Sequence, residues 1–162
     1  MNRNDFISFN VQKVTTKFKG DTAAQSFGCT GSAEITTNTK TYSKKCGGKA
    51  MGQRVSPDGT GALKLGIFAV RSAVEKAFGL VCDDLKETVF AYGKNKHNEF
   101  TITMIVEDFD GFKKYVAIPN CIFTDGYSDK ADNNATEQTE NELNIALTQD
   151  EHGYILYEAF EE

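Results

Sequence analysis

Histidines, cysteines and grouped carboxylates are the residues with which a chain of this kind would do chemistry, and each set is thin here. The histidines are His97 and His152, each beside a turn-like stretch. A Ser-His or Cys-His dyad therefore has few possible members. Cysteines stand at 29, 46, 82 and 121, with no CxxC and no nearby histidine. Zinc sites need clustered nitrogen and sulfur ligands at short spacing, so no metal is implied. Free thiols are the expected state, with Cys121 a small core residue inside an apolar run. Glu107, Asp108 and Asp110 form a carboxylate cluster, but at a hairpin end, where Asp and Gly belong for turn reasons. Calcium takes such ligands, yet the EF-hand spacing is missing. Gly47-Gly48 and Gly59-Thr60-Gly61 do not make the GxxxxGK[ST] phosphate loop. Asn134-Ala135-Thr136 fits a glycosylation sequon, which matters only to a secreted chain. No cofactor is expected, and an enzyme is the least favoured reading.

The elements that would carry these residues follow from composition and periodicity. The chain has 162 residues and a formal net charge of −5, enough for one domain and too acidic overall for tight nucleic-acid binding. It has no apolar run of membrane-spanning length, and MNRNDFISFN lacks the apolar core of a secretory signal, so a soluble chain made in the cytosol is expected. Charge is unevenly spread. Residues 1–81 carry 12 basic and 5 acidic side chains, a net of +7, whereas residues 82–162 carry 6 and 18, a net of −12. Such a polar molecule suits head-to-tail association.

Alternation with a period of two dominates. Phe100, Ile102, Met104 and Val106 share one face of a strand, opposite Glu99, Thr101, Thr103 and Glu107, a polar face broken only by Ile105. Asp110-Gly111 suits a hairpin turn. The return from Phe112 to Phe123 puts Val116, Ile118 and Ile122 on one face and Tyr115, Ala117, Cys121 and Phe123 on the other, with Pro119 marking an edge or bulge. Leu143, Ile145 and Leu147 alternate, and Asp150 to Gly153 is expected to turn the chain into a closing hairpin with Tyr154 to Phe160. Val11 to Phe18, Ser32 to Tyr42 and Leu63 to Val70 also read as strands. The middle one is almost wholly polar and is expected at a surface or interface. One helix is expected at about Ala73 to Phe78, from apolar positions 70, 73, 74, 77, 78 and 81, with Ser72 and Glu75 as a capping box and Gly79 closing it. The fold class is all-β with one short helix, a sandwich or rolled sheet in a single domain spanning 1–162. Long irregular segments are expected at Thr39 to Gly61, with five Lys or Arg, and at Asp125 to Glu140, which is acidic.

The last third of the chain runs from AIPNCIFT through the polar SDKADNNATEQTE to NELNIALTQDEHGYILYEAF. Together with the short helix ending VEKAFG, this order resembles the major tail proteins, the tail tube subunits of long non-contractile-tailed phages. The resemblance covers about Gly61 to Phe160 and rests on apolar spacing, while the first 60 residues match only in style. It implies the tail tube fold, a β-sandwich with a flanking helix. It further implies hexameric rings whose sheets join into one barrel, stacked into a hollow tube through which DNA passes without specific binding. Implied partners are further copies of the chain, a tape-measure protein, and tail terminator and distal tail proteins. The implied location is the virion tail, assembled in the host cytoplasm, with no membrane involved.

On that reading the basic segment Thr39 to Gly61 is similar to the family's extended hairpin loop that reaches an adjacent ring, and Lys44, Lys45, Lys49 and Arg54 make inter-ring contacts with Asp129, Asp132, Glu137 and Glu140. Either Glu34, Thr36 and Asn38 or Glu99, Thr101, Thr103 and Glu107 line the lumen. An acidic or neutral lumen lets DNA slide, so the lysines of 40–49 fit poorly there. Two other readings are a monomeric β-sandwich that binds carbohydrate or a small ligand, and another phage structural protein, such as a tail completion or capsid decoration subunit. The lack of tryptophan speaks against a sugar platform.

Overall fold

The structure, a computed structural model, describes residues 3–80 and 84–162. After a 3-10 turn at Arg3–Asp5 come β1 (Asn10–Phe18), β2 (Gln25–Ser26), β3 (Gly28–Cys46), β4 (Lys49–Ala69), α1 (Arg71–Phe78), β5 (Phe100–Glu107), β6 (Lys113–Phe123), β7 (Asn141–Thr148) and β8 (Tyr157–Phe160). The fold is all-β with one short helix. The strands pair antiparallel in the order β2-β1-β5-β6-β7-β4-β3, with β8 added to β6.

This single sheet rolls because its two ends are one piece of chain. β2 pairs with β1, and β3 pairs with β4. Between them Phe27, fully buried, donates its N–H to Val14 O at 2.9 Å and accepts from Val70 N–H at 2.8 Å. Gly28 makes the corner at φ +140°, where a Cβ would stand 2.0 Å from Phe68 O, so only glycine fits. Around Phe27 pack Phe100 and Phe123, with Leu63, Leu65, Ile67, Ile102, Met104, Val116, Ile118, Ile145 and Leu147 completing a core inside the roll. The buried faces of β5 and β7 are those expected from alternation, and on β4 Leu63, Leu65 and Ile67 point into the core.

Four expectations change. First, the segment from 39 to 61 is not irregular, as its composition suggested, but an extended hairpin, the form the resemblance implied. β3 and β4 continue as a hairpin to a two-residue turn at Gly47-Gly48, bracketed by the pair Cys46 and Lys49. Both glycines have positive φ, at 56° and 80°, which matches the twist of the flanking strands. By contrast, no strand or helix forms between Thr124 and Glu140.

Second, Pro119 does mark a bulge, and its consequence reaches further. The register steps from Phe100 opposite Cys121 to Ile102 opposite Ile118, which places an extra residue on β6. That residue reverses the alternation, so Cys121 and Phe123 join Val116 and Ile118 in the core while Ile122 is half-buried on the other face.

Third, no closing hairpin forms. β7 pairs with the end of β6 (Asn120 to Phe123) and β8 with its beginning (Lys114 to Ala117), so the two follow one another along the same edge. Pro119, which has no N–H, lies at the changeover. The intervening turn is held by Asp150, whose carboxylate accepts the N–H groups of His152 (2.9 Å) and Tyr154 (3.0 Å) and the Tyr157 hydroxyl.

Fourth, the capping box does not form. The helix starts from Val70, whose N–H is committed to Phe27 O, and no side chain caps it. Glu75 instead accepts from Arg71 Nε at 2.9 Å. Gly79 closes the helix in the left-handed conformation as expected, with Leu80 N–H on Glu75 O. Ala73, Ala77 and Phe78 are buried, and Phe78 stacks on Phe123 at 4.6 Å. Val81, expected on the same face, and Cys82 lie outside the described residues.

Candidate assembly surfaces

The register of β4 on β7 fixes which segments sit at which end of the roll. Ile67 pairs with Asn141 at the end that carries α1, and Thr60 with Thr148 at the other. That ladder is about 24 Å long at the usual rise per strand residue. The acidic segment enters after Phe123 and leaves into Asn141, so it belongs to the helix end. From the opposite end the β3–β4 hairpin continues past Thr60 without a further strand beside it, as an arm reaching roughly 30 Å. Within one chain the basic and acidic segments lie apart.

The arm is exposed on both faces, and its cations are sorted. Tyr42 pairs with Arg54, Lys44 with Gly52 and Lys40 with Ser56, and an extra residue at Met51 precedes the pairs Lys45–Ala50 and Cys46–Lys49. Alternation then sets Lys40, Tyr42, Lys44, Lys49 and Arg54 on one face. Arg54 lies over the Tyr42 ring at 4.7 Å, and Lys40 at 5.4 Å. Lys45 projects from the other face. Lys40, which the run of lysines alone did not single out, belongs to the cationic face, and the signal for it was its even spacing from Tyr42 and Lys44 along one strand.

The root of the arm is braced. Asp58 accepts the Thr60 N–H at 2.9 Å and its hydroxyl at 2.6 Å, and these bonds hold its carboxyl below the usual range. Asn38 donates to Thr60 Oγ1 at 2.9 Å, and Gln149 N–H reaches Gly59 O at 3.0 Å.

At the helix end, Asp129 and Glu137 are exposed. Asp132 accepts the Asn134 N–H at 3.0 Å and so helps shape its own loop. Glu140 folds back over β3 and β4. Its carboxylate occupies the space that side chains at Gly31 and Gly66 would fill. Arg71 ties the segment to the helix by donating to the Tyr127 hydroxyl at 2.7 Å, a bond that raises the guanidinium pKa further.

The two sets of candidate lumen residues do not share a face. Glu34 and Thr36 stand on β3 opposite Lys64 and Ala62, and Asn38 lies in the bulge at the arm root. The β5 set is more engaged. Glu99 pairs with Lys19, Thr101 donates to Pro119 O at 3.0 Å, Thr103 meets Thr15, and Glu107 accepts from Gln12 Nε2 at 2.8 Å. Ile105, Tyr115, Ala117, Tyr157 and Ala159 come together on this same outer face, which is therefore mixed, not wholly polar.

Cys121 is buried, and burial pushes its thiol up to about 12; Cys29 and Cys46 are exposed and free. Among the described residues no three His, Cys, Asp or Glu side chains are grouped as a metal site, and no helix is long and apolar enough to cross a membrane.

No family model matches the sequence, and no curated protein matches it significantly. The fold is shared with a chain in the cryo-EM structure of the anti-feeding prophage (AFP) baseplate, 6-fold symmetrised. The TM-score is 0.50, over 95% of this chain and 95% of that one, at 10% sequence identity. The likeness is one of fold. It connects this rolled sheet with an architecture used in a prophage baseplate.

Proposed function

We propose that the chain is a structural, non-enzymatic subunit of a phage tail, and within the tail a tube subunit that self-assembles into stacked hexameric rings. The observation that carries the reading is the separation of charge along the roll, with a one-sided cationic arm at one end and an acidic segment at the other. Two complementary ends on one molecule make a heterologous contact, which repeats without closing and gives a stack. The fold shared with a chain of a six-fold symmetrised baseplate supports both the tail assignment and the ring order.

In the stack, Lys40, Lys44, Lys49 and Arg54 face the acidic segment of the next copy. There Asp129 and Glu137 are the available carboxylates, and Asp132 and Glu140 contribute while also holding their own loop. The face of Glu34 and Thr36, polar and without a large apolar residue between them, is the better lumen lining. The face of Glu99, Thr101, Thr103 and Glu107 carries Ile105 and Tyr115 and suits contacts between neighbours in a ring. The tube serves as the conduit for DNA delivery. It works alongside tape-measure, terminator and distal tail proteins, in a virion tail of the siphophage type.

Negative-stain electron microscopy of the concentrated protein at low salt tests this. Hollow, regularly striated tubes are expected. Small discrete particles at every concentration would overturn the tube and turn attention to a monomeric ligand-binding module.

A further inference from the structure

We propose that the arm is also a nucleic-acid site. Its cationic face binds the phosphate backbone of duplex DNA without reading sequence, and DNA and the acidic segment of the next copy compete for it. Only the competition rests on the stacking reading above.

The net charge of −5 conceals how the charge is divided. From Thr39 to Pro57 the arm carries five Lys or Arg and no Asp or Glu, a net of +5. The rest of the chain carries 13 basic and 23 acidic residues, a net of −10. Affinity for phosphate depends on the field where the phosphates lie, not on the sum over the chain. The arm reaches roughly 30 Å past the ladder of β4 on β7, several times the screening length of about 8 Å at physiological salt. Its outer part is screened from the acidic body.

Strand pairing turns the four cations of one face into a ladder. Along the ribbon Lys40 comes first, then Arg54 opposite Tyr42, then Lys44 opposite Gly52, then Lys49 opposite Cys46. They occupy successive rungs of that face, alternately on β3 and β4, about 6.6 Å apart and about 20 Å from first to last. A ladder of that length crosses a major groove about 12 Å wide and meets the phosphates on both sides. Lys40 and Arg54 lie over the Tyr42 ring, which seats both on this face.

These cations also lack partners in their own chain. Lys19, Lys64, Arg71, Lys76, Lys94 and Lys114 each pair with a carboxylate. Among the described residues, none lies within ion-pair distance of Lys40, Lys44, Lys45, Lys49 or Arg54. A phosphate backbone repeats its charge at regular intervals, as the ladder does. Asp129, Asp132, Glu137 and Glu140 stand at uneven intervals on a segment without strand or helix, so the ladder matches DNA at least as well as it matches them.

Fluorescence anisotropy of labelled duplexes of about 20 base pairs, at a series of salt concentrations, tests the proposal. The wild type is measured beside Asp129→Asn/Glu137→Gln, which keeps the arm and weakens the stack, so that stacking does not obscure binding. Both should bind at about 1–100 µM near physiological salt, with the same affinity for duplexes of unrelated sequence. The logarithm of affinity should fall against that of salt with a slope of about −3.6, or −0.9 for each of four cations. Lys44→Gln and Arg54→Gln, shown to be folded by circular dichroism, should each reduce that slope by about one. Lys45→Gln, on the other face, should change it by less than about half as much. In light scattering, added duplex should raise the protein concentration at which stacks form. Stacking by a wild type that binds no DNA even at about 50 mM salt assigns the arm to the acidic segment alone and overturns the site. Equal losses in Lys44→Gln and Lys45→Gln overturn the one-faced ladder as its basis. Stacking unaffected by saturating duplex overturns the competition. Binding of DNA by a chain that stacks under no condition supports the site and overturns the tube reading instead.

Discussion

Lys44 and Lys45 are sequence neighbours with the same charge and exposed side chains, yet the register of the arm puts them on opposite faces. Reversing each singly to Glu changes the net charge identically and, since neither side chain is buried, leaves fold stability within about 0.5 kcal/mol of the wild type. Their effects on assembly should differ. An exposed ion pair contributes about 0.2–1 kcal/mol, and reversal removes the attraction and adds a repulsion of similar size. Lys44→Glu should therefore cost about 0.5–2 kcal/mol per inter-subunit contact, about 2- to 30-fold in the association constant. With a screening length of about 8 Å at physiological salt, a reversed charge acts on what its own face meets, so Lys45→Glu should change the constant by less than about twofold. Light scattering against concentration at two salt levels gives both constants. Equal losses for the two variants would refute the one-sided arm, as would a greater loss for Lys45→Glu.

Gly28→Ala should unfold or strongly destabilise the chain, by about 3–5 kcal/mol in urea denaturation, because its Cβ meets backbone at 2.0 Å at a positive φ. Gly66→Ala, where the obstacles are side-chain ends, the Glu140 carboxylate and the Ser32 hydroxyl, should cost less than about half of that. In thiol labelling of the native protein, peptides containing Cys29 and Cys46 should react and the peptide containing Cys121 should not, since burial holds that thiol at about 12. Asp58 and Asp150 have folded carboxyl pKa values below their unfolded ones, so their contribution is present above the unfolded value and lost as pH falls through the folded one. Chemical shifts of Thr60 and Tyr154 should accordingly move only below about pH 4. Tyr157, raised to about 12 by donating to Asp150, should ionise in an absorbance titration above the ordinary tyrosine range, and Asp150→Asn should bring it down.

What the sequence made legible is what one strand decides for itself. β5 carries its inner face in plain alternation because one side is core and the other water. The arm could not be seen that way. With both faces in solvent there is no apolar period to find, and only Thr, Tyr and Val around Gly47-Gly48 hinted at strands. Pro119 signalled a bulge, yet the reversal it imposes on Cys121 and Ile122 depends on the partner strand's register. Long-range bonds decided the remainder. Val70 starts the helix because its N–H is taken by Phe27, forty-three residues earlier, and β8 joins β6 instead of β7 because the β6 edge beside Lys114 to Ala117 stands open. The segregation of charge between the two halves was visible in composition. The sorting of Lys40 from Lys45 was not, since it requires knowing that 39–46 is a strand, after which alternation alone puts the two on opposite faces.

The arm also has to be explained as a piece of protein, apart from what it docks with. A two-stranded hairpin without packing is marginal in water, and its unpaired edges invite indiscriminate pairing. Lysines along such a ribbon protect it, and protection alone would be served by charge on either face. Four of its five cations nevertheless share one face, two of them, Lys40 and Arg54, over the Tyr42 ring, with Asn38, Asp58 and Thr60 bracing the root. A solubilising role does not call for that order. A directed contact does, because a ribbon that meets its partner on one side gains from concentrating its charge there and from keeping the other side bare. The same bracing gives the arm a fixed exit from the roll, so the partner's acidic surface is met at a set height. That is the property a repeating stack requires, and it is lost if the root is loosened as surely as if the charges are reversed.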